Sequence, residues 1–332
     1  MSPSLAAPVF VCSLGVTLAA ARVFARRLDR LGLRFGFPEA LIGLLTALAA
    51  DGPEISTALA ALAKGAHSVG VGVLVGSNVF NLAAMIGLSA VLVGRVRLPR
   101  EMLVLEGLVA VLVTLIAAAV LLDWLAPLLG LLLLACVLIP YLFLLVNGPQ
   151  STDRRPVASV LGRLPRVVGQ RRQSERPANH QEDRARHLVA LMVLDVGLIV
   201  AGSAGMVQSA LALGDRWGIS GPVLGVLILA PLTSIPNAMT AVRLGFAHRG
   251  SALVSETFNS NTINLAAGVV VPALFIGVTG ITGAGKLDIA WLIAITTLCL
   301  VLLARPGGMR RNGGIAVIVL YAAFVATQLL IA

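Results

Sequence analysis

One unit of sequence is written twice in this chain, 183 positions apart and without a gap, with its polar residues set inside apolar stretches. The first copy reads Pro53-Glu54 and then Gly76-Ser77-Asn78-Val79-Phe80-Asn81-Leu82-Ala83-Ala84; the second reads Pro236-Asn237 and then Asn259-Ser260-Asn261-Thr262-Ile263-Asn264-Leu265-Ala266-Ala267. The same offset carries Leu41, Ala47, Pro53, Thr57 and Ala58 onto the same residue types at Leu224, Ala230, Pro236, Thr240 and Ala241. A repeated unit restricts the fold to two similar halves. A proline and a run of amides at membrane depth in each half point to a transport site between them.

The surrounding sequence is that of a polytopic membrane protein. Of its 332 residues 58% are hydrophobic and 12% charged, and Gly107 to Leu122 and Leu125 to Pro149 carry no charge at all. Cutting at the polar breaks gives about ten segments, each near the length needed to cross the hydrocarbon: 5–24, 38–62, 68–93, 103–122, 125–146, 188–212, 219–246, 252–278, 287–304 and 313–331. The first charge is Arg22, after an apolar stretch with no basic start, so that stretch reads as a first span and not as a signal peptide. Cys12, Cys136 and Cys299 fall inside apolar spans without metal-type spacing and are expected to be buried free thiols.

The net charge of +10 could suggest a nucleic-acid partner, but the positions of the charges explain it as topology. All Lys and Arg except Lys64, Arg216 and Lys286 fall in alternate connections: Arg22 to Arg34, Arg95 to Arg100, Arg154 to Arg186, Arg243 with Arg249, and Arg305 to Arg311. The positive-inside rule makes these cytoplasmic and places both termini outside. Five spans per repeat is odd, so the second repeat enters the membrane from the opposite side. The expected fold is all-α: ten transmembrane helices as two inverted five-helix repeats, with broken helices at the midplane. The halves are 1–147, with its repeated segment at 40–90, and 187–332, with its repeated segment at 223–273. They are joined by a basic segment, 148–186, that reads as a solvated cytoplasmic linker or, around Val157 to Val168, as an interfacial helix on anionic lipid.

Acids at the hydrocarbon centre cost about 2.5 to 3.5 kcal/mol each, so those present call for a reason. Asp51 and Glu54 sit mid-span, three residues apart and on one helical face. Gly52 and Pro53 between them should break the helix, as Pro236 should in the second repeat, helped by Pro231. Carboxylates, amides and freed carbonyls together make an oxygen-rich site suited to hard cations. A proline kink with self-satisfied polar groups would explain one such helix, but not a matched pair with acids. Ser77 and Asn81, and likewise Ser260 and Asn264, are spaced to face the broken helix beside them. Asn81 and Asn264 read as ligands or their supports, Asn78 and Asn261 as hydrogen-bonding glue between helices.

The two segments resemble the paired repeats of the cation/calcium antiporter superfamily, the group that contains sodium/calcium exchangers. That family's pattern is roughly Gly-Thr-Ser-x-Pro-Glu followed by Gly-Ser-Asn-x-x-Asn. It is matched by Pro53-Glu54 with Gly76-Ser77-Asn78-Val79-Phe80-Asn81, and by Thr233-Ser234-Ile235-Pro236 with Ser260-Asn261-Thr262-Ile263-Asn264. The resemblance implies a secondary active cation antiporter and not an enzyme. It would exchange calcium or another cation for sodium or protons by alternating access, with Glu54, Asp51, Asn81, Asn237 and Asn264 around the ion and Ser77, Ser260, Thr233 and Ser234 as further oxygen ligands. No cofactor is expected beyond the transported ions (Ca2+, Na+ or H+), and the partners are membrane lipids and small inorganic cations.

Departures from the pattern bear on the ion. Ala50 and Asp51 stand where the family has Thr and Ser, Asn237 replaces the second Glu, Asn259 replaces a Gly, and Asn264 stands where sodium/calcium exchangers usually have a further acid. Two carboxylates from one helix replace three spread over both halves, whereas calcium prefers six to eight oxygens and dense negative charge. Adjacent carboxylates in low dielectric do not both ionise easily without a cation, so a proton shared by Asp51 and Glu54 is expected to exchange with the cargo. A proton-coupled monovalent cation antiporter, a cation channel and a non-transporting derivative of the fold stay open. Two further acids have alternatives: Asp195 is a proton relay or a group reaching for the membrane surface, and Glu256 either serves the central site or pairs with Arg249 or Arg243. Abundant Arg against scarce Lys hints at a GC-rich bacterial genome and hence the cell membrane.

Overall fold

The computed structural model describes residues 3–35, 45, 47–146, 179–277 and 283–331. The expected front half of the second span, residues 38–46, lies almost wholly outside these, as do the linker from 148 to 178 and its possible interfacial helix. Apart from one two-residue strand pair, the described regular structure is helical, because backbone polar groups in hydrocarbon must be satisfied within each segment. The helices are α1 (Pro3–Arg34), α2 (Gly52–Ala63), α3 (His67–Val93), α4 (Arg100–Leu121), α5 (Pro127–Val146), α6 (Asn179–Trp217), α7 (Gly221–Thr233), α8 (Ile235–Phe246), α9 (Gly250–Ile276), α10 (Gly283–Ala304) and α11 (Arg311–Ile331). Among the described residues eight of them are long and apolar enough to cross a membrane, and the pair α7 and α8, bent by 47°, makes up to nine if it is counted as one broken span.

The duplication in sequence is a duplication of elements. Adding the offset to α2 gives the bounds of α8, and α3 and α9 each contain a π-helical turn at the matching place, Leu82–Gly87 and Ala266–Val270. Pro53 and Pro236 have no N–H for the carbonyl four residues earlier, and the chain bends just ahead of each, at Asp51 (φ −79°, ψ −7°) and at Ser234 (φ −85°, ψ −2°).

The interior belongs to α3, whose most apolar stretch is 94% buried, against 17% for α1 and 22% for α6, which pack on each other at the periphery. Close crossing of α3 and α7 depends on glycine. A Cβ on Gly225 would lie 2.5 Å from the Val69 carbonyl oxygen, and one on Gly76 would lie 2.9 Å from the Val226 Cα. The short strands β1 (Arg95–Val96) and β2 (Met309–Arg310) pair antiparallel and tie the connection after α3 to the one before α11.

Three expectations are corrected. The stretch Arg22 to Arg34, expected as a connection, is helical as the end of α1, and Asn179 to Arg186, expected as solvated linker, is helical as the start of α6. Both helices are longer than the hydrocarbon requires, and Arg27 of α1 donates to the Leu191 carbonyl and, at 2.5 Å, to Asp195 of α6. Cys12 and Cys136 are exposed on the outer helices α1 and α5, and only Cys299 is buried, because an apolar span at the periphery turns much of its surface away from the protein.

Asp195 is therefore half of an ion pair that holds two outer helices together. Asp195→Ala leaves Arg27, whose side chain is 23% exposed, without its partner. It is expected to cost about 1–3 kcal/mol of stability, seen as a lower melting temperature in detergent. A proton relay would instead change the pH dependence of transport with the melting temperature unmoved.

Candidate functional site

The break ahead of Pro53 turns two carboxylates into the centre of the protein, and both Asp51 and Glu54 are fully buried. The second half meets them with amides. Asn237, from the first turn of α8, donates through Nδ2 to Asp51 Oδ1 at 2.8 Å and to Glu54 Oε1 at 3.1 Å. The second of these joins residues one repeat offset apart, so the amide touches the glutamate to which it corresponds. Asn264 of α9 donates to Glu54 Oε2, and Ser260, one turn earlier, donates to Asp51 Oδ1 at 2.6 Å. Asn81 of α3 donates to Ser260 Oγ at 3.2 Å, closing the ring from the first half.

The remaining sequence candidates are Ser77, Ser234 and Thr233. Ser77 and Ser234 face Glu54. Ser77 gives its proton to the Val73 carbonyl at 2.7 Å, and Thr233 gives its own to Leu229 at 2.9 Å, which leaves both hydroxyl oxygens with lone pairs to offer. All nine candidates are buried. Four of their oxygens, Asp51 Oδ2, Asn81 Oδ1, Ser234 Oγ and Asn264 Oδ1, are buried without a hydrogen-bond partner. Unpaired acceptors at this depth are costly unless something positive meets them. Asn78 and Asn261 act across the helices: Asn261 Nδ2 donates to the Asn78 carbonyl at 3.1 Å.

Electrostatically the site is lopsided. The acids come from one half, the amides that hold them mainly from the other, and among the described residues no three acidic, His or Cys side chains converge. A cation here would be held by two carboxylates and otherwise by neutral amide and hydroxyl oxygens.

Outside the ring are polar pairs between helices that the sequence reading did not single out. Glu106 of α4, buried, accepts a hydrogen bond from Ser255 of α9 at 2.6 Å, and buried Tyr141 of α5 donates to Asn259 at 2.6 Å. The acid in an otherwise apolar span was the available signal for Glu106; its partner lies 149 residues away and no repeat links them. Asp288 of α10, also buried, accepts from Gln328 of α11. Glu256 pairs with neither Arg243 nor Arg249.

This arrangement has relatives. The sodium/calcium exchanger protein family matches residues 5–147 and 187–330, which is most of the chain. The chain belongs to that family. Family membership makes it a multi-pass membrane antiporter and not an enzyme. A protein described as the putative antiporter CaxA of Alkalimonas amylolytica is 26% identical over 298 residues, covering 88% of this chain and 87% of its own. Among solved structures, the sodium-calcium exchanger NCX_Mj shares the fold with a TM-score of 0.63 at 20% identity, covering 97% of this chain and 98% of that one. The H+/Ca2+ exchanger CAX does so with a TM-score of 0.73 at 16% identity, covering 98% of this chain and 82% of its own.

Proposed function

We propose that this antiporter exchanges calcium, or another small cation, for protons at the Asp51–Glu54 pair. The observation that carries the reading is the pair itself: two buried carboxylates in hydrogen-bond reach of one amide, Asn237, with no basic side chain paired with them among the described residues. Such a pair is neutralised either by a cation or by protons, so occupancy by one displaces the other. The structural relatives are named for exchanging calcium, one with sodium and one with H+. In this chain both acids come from the start of one helix, with Asp51 supplying a carboxylate at the bend where the second half has the hydroxyl of Ser234. Sodium coupling is the second reading, supported by the neutral oxygens of Asn81, Asn264, Ser77 and Thr233.

The cargo ligands would be Glu54, Asp51, Asn81, Asn237 and Asn264, with Ser77, Ser260, Thr233 and Ser234 as supplementary oxygens. The full topology would be ten spans in two inverted repeats, a reading supported by the recurrence of α2 with α3 as α8 with α9 and by the alternation of arginine-rich connections. Both termini would be extracellular, in a bacterial cell membrane. Alternating access would come from α1 and α6, joined by Arg27–Asp195, rocking across the fixed centre. The contact that would slide is Ser203 of α6 against Ser56 and Thr57 of α2, at 2.6 and 3.3 Å.

The test is calcium uptake into proteoliposomes under an outward proton gradient and, separately, an outward sodium gradient. Uptake driven by protons is expected. Uptake driven by sodium alone would assign the second reading, flux without any counter-gradient a channel, and calcium binding without flux a non-transporting derivative.

A further inference from the structure

Helix α9 enters the site with a fixed rotation, because its neighbours hold it from two sides. Ser255 and Asn259, four residues apart and so on one face, bond to Glu106 of α4 and Tyr141 of α5. Ser260 and Asn264, on a different face, bond to Asp51 and Glu54. Glu256 is four residues before Ser260 and shares that second face, which places it one turn from the ring, on the side where α9 begins at Gly250 beside Arg249. It is partly exposed and has no arginine partner, and Ser260, its neighbour one turn on along the same face, donates to Asp51. Asp51 in turn has a buried oxygen, Oδ2, without any partner. Asp51, Glu54 and Glu256 do not converge on a single point, so Glu256 adds no third acid to the central ring. What it makes is a second position, one turn outward.

We infer that Glu256 together with Asp51 forms a separate cation-binding station between the central ring and the arginine-rich face, through which the cargo enters and leaves on that side only. This rests on the antiporter reading above and on its topology, which makes that face cytoplasmic. The station provides for the second half what Asn237 and Asn264 do not, a negative charge on the route of the ion. It lies on the exit side of the ring and so acts on affinity from one side of the membrane.

The experiment is calcium flux at varied calcium concentration on each face, in right-side-out and inside-out vesicles, for the parent, Glu256→Gln and Glu256→Asp, together with equilibrium calcium binding to the same purified proteins in detergent. Removing one charge from the station is expected to raise the half-saturating calcium concentration on the cytoplasmic face by roughly tenfold or more. The value on the outer face should stay within about twofold, and Glu256→Asp should restore most of the loss. Equal impairment on both faces would overturn the one-sided station, and no change on either would overturn any role in binding. If the parent moves no calcium, the antiporter reading fails separately. The binding isotherm then decides: a Glu256→Gln curve superposing on the parent's overturns the station, and a weakened one that Glu256→Asp restores supports it.

Discussion

Glu54→Gln will abolish cation flux, by about two orders of magnitude or more, while the protein still elutes from a sizing column as the parent does. Glu54 is fully buried and accepts from Asn237 and Asn264, which both belong to the other half. Its charge is one of only two that the site can set against a cation. At a few ångströms in a medium of low effective dielectric, losing one unit charge removes several kcal/mol of attraction, so a loss of about a hundredfold is the smaller end of the expectation. The amide also brings a donor to face Asn264 or Asn237, which are donors themselves, so one of the three must turn. That rearrangement is local: the close crossings of α3 with α7 at Gly76 and Gly225 do not involve the ring. Calcium flux in proteoliposomes and the elution profile check both halves of the statement. Retained flux would mean that the cargo is held elsewhere, and then Glu54 would be only a structural acceptor for two amides.

How far the site could be read from sequence depends on whether its contacts respect the repeat. Pro53 and Pro236, Asn81 and Asn264, and Ser77 and Ser260 are related by a fixed offset, so periodicity alone picked them out, and the structure joins Asn81, Asn237, Ser260 and Asn264 in one hydrogen-bonded ring with Asp51 and Glu54. Asp51 was legible for a different reason, as an acid at a depth where acids are costly. What was not legible lacks a counterpart in the other half. Glu106 meets Ser255 and Tyr141 meets Asn259 because α4 and α5 lie against α9, and helical spacing within one segment carries no information about which segment lies beside it. Arg27 looked like part of a cytoplasmic connection because positive charge marks helix ends. Its partner Asp195 shows that the helix continues past that mark. The exposed Cys12 and Cys136 follow the same logic: hydropathy distinguishes membrane from water and does not distinguish a lipid-facing side from a protein-facing one.

Asp51→Ser should uncouple transport from protons. Asp51 occupies in the first half the bend that Ser234 occupies in the second, with backbone angles within about ten degrees of each other, so serine fits there without strain. The substitution removes one of two carboxylates and leaves Asn237 Nδ2 with Glu54 and Ser260 Oγ as acceptors. In the parent, protons and cargo compete for one pair of acids. As pH falls, the half-saturating calcium concentration should rise, and an outward proton gradient should drive uptake. With a single acid left, a divalent cargo is no longer balanced in charge, and proton-driven uptake should fall by roughly tenfold or more. Any remaining calcium exchange should depend less steeply on pH. Asp51→Asn separates charge from shape, since it keeps an acceptor oxygen for Ser260 where serine changes both. If the two variants lose proton coupling alike, the charge of Asp51 is the cause. If only serine does, the hydrogen bonds of Asn237 and Ser260 to that side chain are what matter. If both keep the parent's pH dependence, the proton is not shared by Asp51 and Glu54, and the neutral oxygens of Asn81 and Asn264 become the place to look for a sodium ion.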